Sequence, residues 1–261
     1  MKYRLTNIIR ITILSALFVV IAATVSAQSL LDQIKASGTL KIGTEGTYAP
    51  FSFHDSSNNL TGFDIEIARE VAKRIGVTAV FVEGKWDGLI AGLDSKRYDV
   101  VVNEVTITEA RKAKYDFSVP YIVSKAILIV RSNNTTIKSF ADLKGKKAAQ
   151  SLTSNFGQMA RDNGADVVAV DGFNQGLDLL LSGRADAVIN DSLSYLDFMK
   201  KKHTSKLKIV DTLESAEKQA ILVRKGNPEL VAALDKAIAD MKTDGTYLKI
   251  SRKYFGEDVS N

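Results

Sequence analysis

The residues best suited to chemistry lie between Trp86 and Tyr121. Trp86-Asp87-Gly88-Leu89 opens a short apolar helical run, and Arg97-Tyr98-Asp99-Val100-Val101-Val102-Asn103-Glu104 follows it. Thr106-Ile107-Thr108-Glu109-Ala110-Arg111 comes next, then Tyr115-Asp116-Phe117-Ser118-Val119-Pro120-Tyr121. A buried strand here runs into a polar loop that carries hydroxyls and one arginine. Such a set suits capture of a small carboxylate. Hydroxyls and backbone N–H groups donate to it, and a planar guanidinium can grip both oxygens. His54 and His203 stand isolated, cysteine is missing, and neither a glycine-rich phosphate loop nor a catalytic serine motif is found. No cofactor or metal is expected.

The layout returns at Gly183-Arg184-Ala185-Asp186-Ala187-Val188-Ile189-Asn190-Asp191. Arg97, Asp99, Asn103 and Glu104 correspond to Arg184, Asp186, Asn190 and Asp191 at a constant offset of 87 positions. Apolar helical runs at residues 89–93 and 177–181 precede the two copies. One repeat of this length predicts two similar α/β lobes, since solenoids need three or more short units. Open α/β sheets bind ligands at the carboxyl ends of their strands. Each lobe would then bring an acid to a shared cleft. The competing explanation is chance, because Arg-x-Asp-hydrophobic is a common helix-to-strand turn.

Alternating strands and helices must position these residues. Leu30–Ser37 reads as a helix stopped by Gly38, and residues 40–43 as a strand. Ile67, Ala68, Val71, Ala72 and Ile75 recur at helical spacing, with Gly76 as a natural C-cap. Residues 79–82 form the next strand. After Pro120 come strands at 126–130, 147–150, 167–170 and 187–189, with helical segments at 141–145, 156–163 and 176–181 between them. A strand at 220–223 precedes a helix from Pro228 to Met241 whose apolar face holds Leu230, Ala233, Leu234, Ala237, Ile238 and Met241. A final helix spans Thr246–Phe255. This order predicts mostly parallel sheets.

The N-terminus reads as an export signal over residues 1–27. Lys2, Arg4 and Arg10 precede an apolar core at 11–23, and Val25-Ser26-Ala27 fits cleavage after Ala27. That core is shorter than the roughly 20 residues needed to span a bilayer. Export to the periplasm is expected. Without cysteine there is no lipid attachment or disulfide. The remaining chain is long enough for two modest domains. Its net charge falls from +5 to +2 once the three basic leader residues are removed. Basic residues are spread out, apart from Lys200-Lys201-Lys202 at a solvated helix end. Nucleic acid is therefore not an expected partner.

Several motifs together resemble the periplasmic polar-amino-acid-binding proteins of ABC importers. They are Gly-Thr-Tyr-Ala-Pro-Phe-Ser-Phe (46–53), Leu-Thr-Gly-Phe-Asp (60–64), Trp-Asp-Gly-Leu (86–89), Tyr-Asp-Val-Val (98–101), Thr-Ile-Thr-Glu-x-Arg (106–111), Asp-Phe-Ser-x-Pro-Tyr (116–121), Asp-Leu-Lys-Gly-Lys-Lys (142–147) and Gly-Thr-Tyr (245–247). The combination of Glu45-Gly46-Thr47-Tyr48, Lys85-Trp86-Asp87-Gly88 and Asp94-Ser95-Lys96-Arg97 is most similar to the cystine-binding branch. The resemblance implies an α/β, two-lobed periplasmic-binding-protein fold of type II. Each lobe would be a mostly parallel sheet flanked by helices, with a double-crossover hinge. Residues 28–123 plus 219–261 would form lobe 1, and 124–218 lobe 2. The partners implied are a small amino acid and a membrane permease of an ABC importer, with the protein itself a monomer.

The resemblance also implies site roles. Arg111, joined by Thr106, would hold the ligand carboxylate, and Asp191 the ammonium. Tyr48 and Trp86 would sandwich the ligand side chain, while Phe51 and Phe53 pack the core. Glu45 would meet a polar or cationic end of the ligand. Two departures stand out. Thr153-Ser154-Asn155 replaces the Gly-(Ser/Thr)-Thr common in relatives, and losing the glycine restricts close backbone approach. Asn103-Glu104 stands where small or amide residues are usual. An extra acid there suits a ligand with a second positive group. The family also includes periplasmic dehydratases, so an enzyme on the same scaffold is the alternative.

Overall fold

The computed structural model describes residues 28–260. The leader expected over residues 1–27 lies outside the described residues. Helix α1 (Leu30–Ser37) is capped by Ser29, which accepts from the Asp32 N–H (3.1 Å), and ends at Gly38 in the left-handed region. Strand β1 (Thr39–Thr44) leads into a small antiparallel ribbon of β2 (Thr47–Tyr48), β3 (Ser52–His54) and β4 (Leu60–Thr61). Then come α2 (Phe63–Ile75), β5 (Thr78–Glu83), α3 (Trp86–Asp94), β6 (Val100–Val101), α4 (Glu109–Lys112) and β7 (Tyr115–Phe117). Strand β8 (Ile122–Ser124) carries the chain into the second lobe. That lobe holds β9 (Ala126–Arg131), a 3-10 turn (Phe140–Leu143), β10 (Lys147–Gln150), α5 (Asn155–Asp162), β11 (Asp166–Ala169), α6 (Phe173–Leu181), β12 (Ala187–Asp191), α7 (Ser192–Lys202) and β13 (Leu207–Thr212). Strand β14 (Glu217–Gln219) returns, and β15 (Leu222–Arg224), α8 (Pro228–Thr243) and α9 (Thr246–Phe255) complete the first lobe.

The two sheets share one plan. Their strand orders are β5-β1-β6-β15-β7 and β11-β10-β12-β9-β13. The first three strands of each are parallel, and the fourth opposes both neighbours. That opposing strand is β15 in one sheet and β9 in the other. Each follows directly from the antiparallel pair β8–β14, which links the lobes. This is the type II periplasmic-binding-protein fold.

Burial follows the patterns that chose the elements. Residues 126–130 of β9 are buried throughout, as an interior strand covered on both faces requires. Helix α8 buries Leu230, Leu234, Ala237, Ile238 and Met241, with Ala233 half-buried beside them. Tyr98 explains two glycines. A side chain at Gly43 in β1 would meet its ring at 2.5 Å, and one at Gly92 in α3 would meet its hydroxyl. Phe51 is wholly buried, but Phe53 is half-buried under the Lys201 ammonium, 4.7 Å from its ring centre.

Several boundaries differ from the sequence reading. The strand expected at 220–223 begins at Leu222, because the Ala220 N–H donates to the Val105 carbonyl (3.1 Å) and the Ile221 N–H to Ser118 Oγ (3.0 Å). Strand β13 was not anticipated, since Lys208 and Asp211 break its apolar alternation. Helix α6 starts at Phe173, ahead of its expected start at 176, and Trp86 is the first residue of α3.

Candidate functional site

The repeat performs the same backbone task in both lobes. The Lys41 N–H donates to Asp99 Oδ2 (2.9 Å), and the Lys147 N–H to Asp186 Oδ2 (3.0 Å). Each aspartate's own N–H returns to that lysine's carbonyl, at 2.9 Å and 2.7 Å. These ties pin β6 beside β1 and β12 beside β10. Both strand ends then face a cleft between the lobes.

The cleft holds about 510 Å³ of free space, mouth included. Glu45, Tyr48, Trp86 and Glu104 line it from one lobe; Gln150, Ser154, Asn155, Phe173 and Asn190 line it from the other. Tyr48 bridges the two walls, because its hydroxyl donates to Asn190 Oδ1 at 2.9 Å. Its ring meets Phe173 edge-on, with centroids 6.5 Å apart. Among the described residues, Trp86 Nε1 and Gln150 Nε2 reach no acceptor and Glu104 Oε1 meets no donor. Buried polar atoms of this kind are costly unless something satisfies them.

Arg111 lies on α4, which Thr108 caps by accepting from the Arg111 N–H (3.2 Å). Its guanidinium sits 5.2 Å from the Trp86 ring centre, and Nη1 donates to the Thr106 carbonyl (2.8 Å). Burial lowers its pKa to about 10, while Glu104 and Glu217 oppose that shift. Asn155 Nδ2 donates to Thr106 Oγ1 and Glu217 Oε1, both at 3.3 Å. Arg111, Asn155 and Glu217 also line a groove opening outward from this point.

The remaining expected site residues play supporting parts. Asn103 does not line the cleft. Its Oδ1 accepts from the Glu45 N–H (2.8 Å), and its Nδ2 donates to Glu45 Oε2 (2.6 Å). Ser154 caps α5 by accepting from the Gly157 N–H (2.9 Å). Thr153 is exposed at the rim, where its N–H and hydroxyl donate to Asp87 Oδ1 (2.9 and 2.8 Å). On the same rim Lys85 pairs with Asp171 at 2.7 Å.

Asp191 is fully buried at the end of β12 and caps α7. Its Oδ1 accepts from the Leu193 N–H (2.8 Å) and Ser194 N–H (3.3 Å), and its Oδ2 accepts from the Ser124 hydroxyl. Gln219 Nε2 donates in turn to Ser124 Oγ (3.0 Å). Both linking strands thus hold this acid. Glu104 stands opposite it with φ at 51°. Its N–H donates to Asp64 Oδ2 (2.6 Å), and the Tyr121 hydroxyl donates to Asp64 Oδ1 (2.9 Å).

Burial raises the pKa of five carboxyls around the cleft. Glu45, Asp64 and Glu217 are each pushed up to about 7. Asp191 is also raised, though its N–H and hydroxyl donors oppose the shift. Glu104 is raised well above the ordinary carboxylate value, by burial and then by the nearby acids Asp191, Glu217 and Asp64. The Arg111 guanidinium partly offsets the rise at Glu217.

Sequence reasoning missed Gln150, Phe173 and Glu217 altogether. Asn190 stood inside the repeat and Asp64 inside a quoted motif, but neither was assigned to the site. Glu217 fell in an expected crossing segment with no local signature.

The chain matches the family described as bacterial extracellular solute-binding proteins, family 3, over residues 40–257. The L-cystine-binding protein TcyA of Bacillus subtilis is 46% identical over 228 residues, covering 87% of this chain and 85% of that protein. A solved ancestral arginine-binding protein bound to arginine is 43% identical, with a TM-score of 0.78 and coverage of 84% and 98%. The L-cystine solute receptor of Neisseria gonorrhoeae, solved unliganded and open, is 45% identical, with a TM-score of 0.59 and coverage of 89% and 99%. At nearly equal identity, the arginine-bound structure superposes better than the open one. That agrees with lobes drawn together by the Tyr48–Asn190 and Asp87–Thr153 contacts. On this family match and these relatives, the chain belongs to the bacterial extracellular solute-binding proteins, family 3.

Proposed function

We propose that this protein captures an L-amino acid, with cystine favoured, in the periplasm and delivers it to the permease of an ABC importer. One observation carries the reading: an interlobe cleft is lined by buried Glu104 and Trp86, with the buried Arg111 guanidinium against that Trp86 ring and buried Asp191 next to the lining residue Asn190. Arg111 would receive the ligand carboxylate through two charge-assisted bonds, with Thr106 beside it. Glu104 and Asp191 would receive an ammonium. Tyr48 and Trp86 would flank the side chain, and Glu45, held by Asn103, would face its far end. Ser154 and Asn155 would close the second wall, with Thr153 latching the rim. We assign 28–123 and 219–261 to lobe 1 and 124–218 to lobe 2. A zwitterion touching both lobes favours the closed state by differential contact.

The excess of buried acid favours ligands with more than one ammonium. Cystine and arginine both carry a second cationic group, and the named relatives bind one or the other. Thermal unfolding against the L-amino acids and cystine tests the choice. A ligand at about 100 times its dissociation constant adds roughly 2.7 kcal/mol. Arg111→Ala should then weaken binding by about 2–5 kcal/mol in calorimetry. Unchanged affinity removes Arg111 from the site. The ligand should also be recovered unchanged; turnover would point to the dehydratase-type reading, with buried Glu104 or Glu45 as its acid.

A further inference from the structure

We propose that proton and ligand ammonium compete for one position between Glu104 and Asp191, so that capture of one ligand releases one proton to solvent. The inference rests on the amino-acid-binding reading and specifies its electrostatics. The two carboxyls come from equivalent positions of the repeat, one on each lobe, and are 4% and 0% exposed. Asp191 already accepts from two backbone N–H groups and the Ser124 hydroxyl. Glu104 has far less. The Tyr48 hydroxyl has one hydrogen, and it lies nearer Asn190 Oδ1 (2.9 Å) than Glu104 Oε2 (3.3 Å). Oε1 meets no donor although Glu104 lines the cleft.

The groups facing Glu104 give no other counter-charge. Asp64 on α2 and Glu217 on β14 add negative potential. Tyr48 and Tyr121 are neutral phenols whose ionisation burial opposes. Among the described residues, Arg111 on α4 is a cation coupled to Glu104, and its Nη1 donates to the Thr106 carbonyl. Two adjacent buried carboxylates cannot both stay ionised without a cation between them. Without ligand that cation is a proton. An arriving ammonium keeps its three hydrogens and donates to the pair, while the Glu104 carboxyl loses its proton to water. One positive charge enters and one leaves.

Affinity should therefore rise with pH by up to tenfold per unit, then level off once the pair is ionised without ligand. The test is calorimetry with L-cystine and L-arginine at pH 7 in buffers of different ionisation enthalpy. The wild-type protein should release about one proton more per ligand than Glu104→Gln. The variant should bind at least tenfold more weakly at pH 8 and show a flatter pH profile. A melting temperature for the variant at or above wild type shows that the fold is intact. Tight binding with equal proton release in both proteins overturns the inference and leaves the proposed function standing. If neither cystine nor any L-amino acid binds, the function reading falls and takes the inference with it.

Discussion

Residues 97–104 and 184–191 follow the same course through their lobes and end in opposite electrostatic situations. In both copies an aspartate ties a backbone lysine N–H at the start of the strand, Asp99 to Lys41 and Asp186 to Lys147. In both an asparagine precedes the terminal acid. The second copy then runs straight into α7, whose first N–H groups donate to Asp191. A helix N-terminus favours negative charge there. In the first copy the strand β6 ends at Val101, and the backbone turns left-handed at Glu104. No helix starts at that residue, and its N–H donates to another acid, Asp64. One acid is surrounded by helix N–H donors and a hydroxyl, and the other by further acids. The motif decides where the acids stand, and their neighbours decide the charge.

Removing the two acids should therefore have unequal effects on stability. Asp191→Ala deletes a helix cap and leaves a buried hydroxyl and N–H groups unpaired, which should cost about 2–4 kcal/mol in denaturant unfolding. Glu104→Gln should stay within about 1 kcal/mol of wild type, because it removes a group whose ionisation burial opposes. Equal losses would erase the distinction between the copies.

A smaller effect concerns pH. Glu45, Asp64 and Glu217 bind protons more tightly in the folded protein, at about 7, than at the ordinary carboxylate value. Between those values the native state holds more protons than the unfolded state. Stability therefore falls as pH rises through that window. Ligand-free protein should melt at a higher temperature at pH 5 than at pH 8. The opposite order would mean that cations neutralise the cleft acids in solution.

The smallest effect tests what the copies share. Asp99→Ala and Asp186→Ala each remove one side-chain tie to a backbone N–H. Each should cost about 1 kcal/mol in chemical unfolding. A large difference between them would show that the ties differ in role despite their matching geometry.

Much of this was legible before the fold was known. Helix Thr246–Phe255 follows from local periodicity, and the strand within Ala126–Arg131 from a continuous apolar run. The repeat at an offset of 87 positions anticipated two similar α/β lobes, while the lysine–aspartate ties inside them came to light only in the structure. Strand β13 was not legible, because polar residues interrupt its pattern and only pairing with β9 makes it a strand. Glu217 was equally hidden. Its place opposite Arg111 depends on β14 pairing with β8, far away in sequence.

The sequence by itself determined most of the elements, the doubled motif and many of the residue types that surround the cleft. Those depend on local periodicity and spacing, which one chain carries in full. The tertiary structure alone decided that Asn103 steadies Glu45, that Thr153 latches to Asp87, and that Glu104 is buried among other acids. The reason is physical. Burial and the nearest donors set the charge of a carboxyl, and both arise only when distant segments pack together.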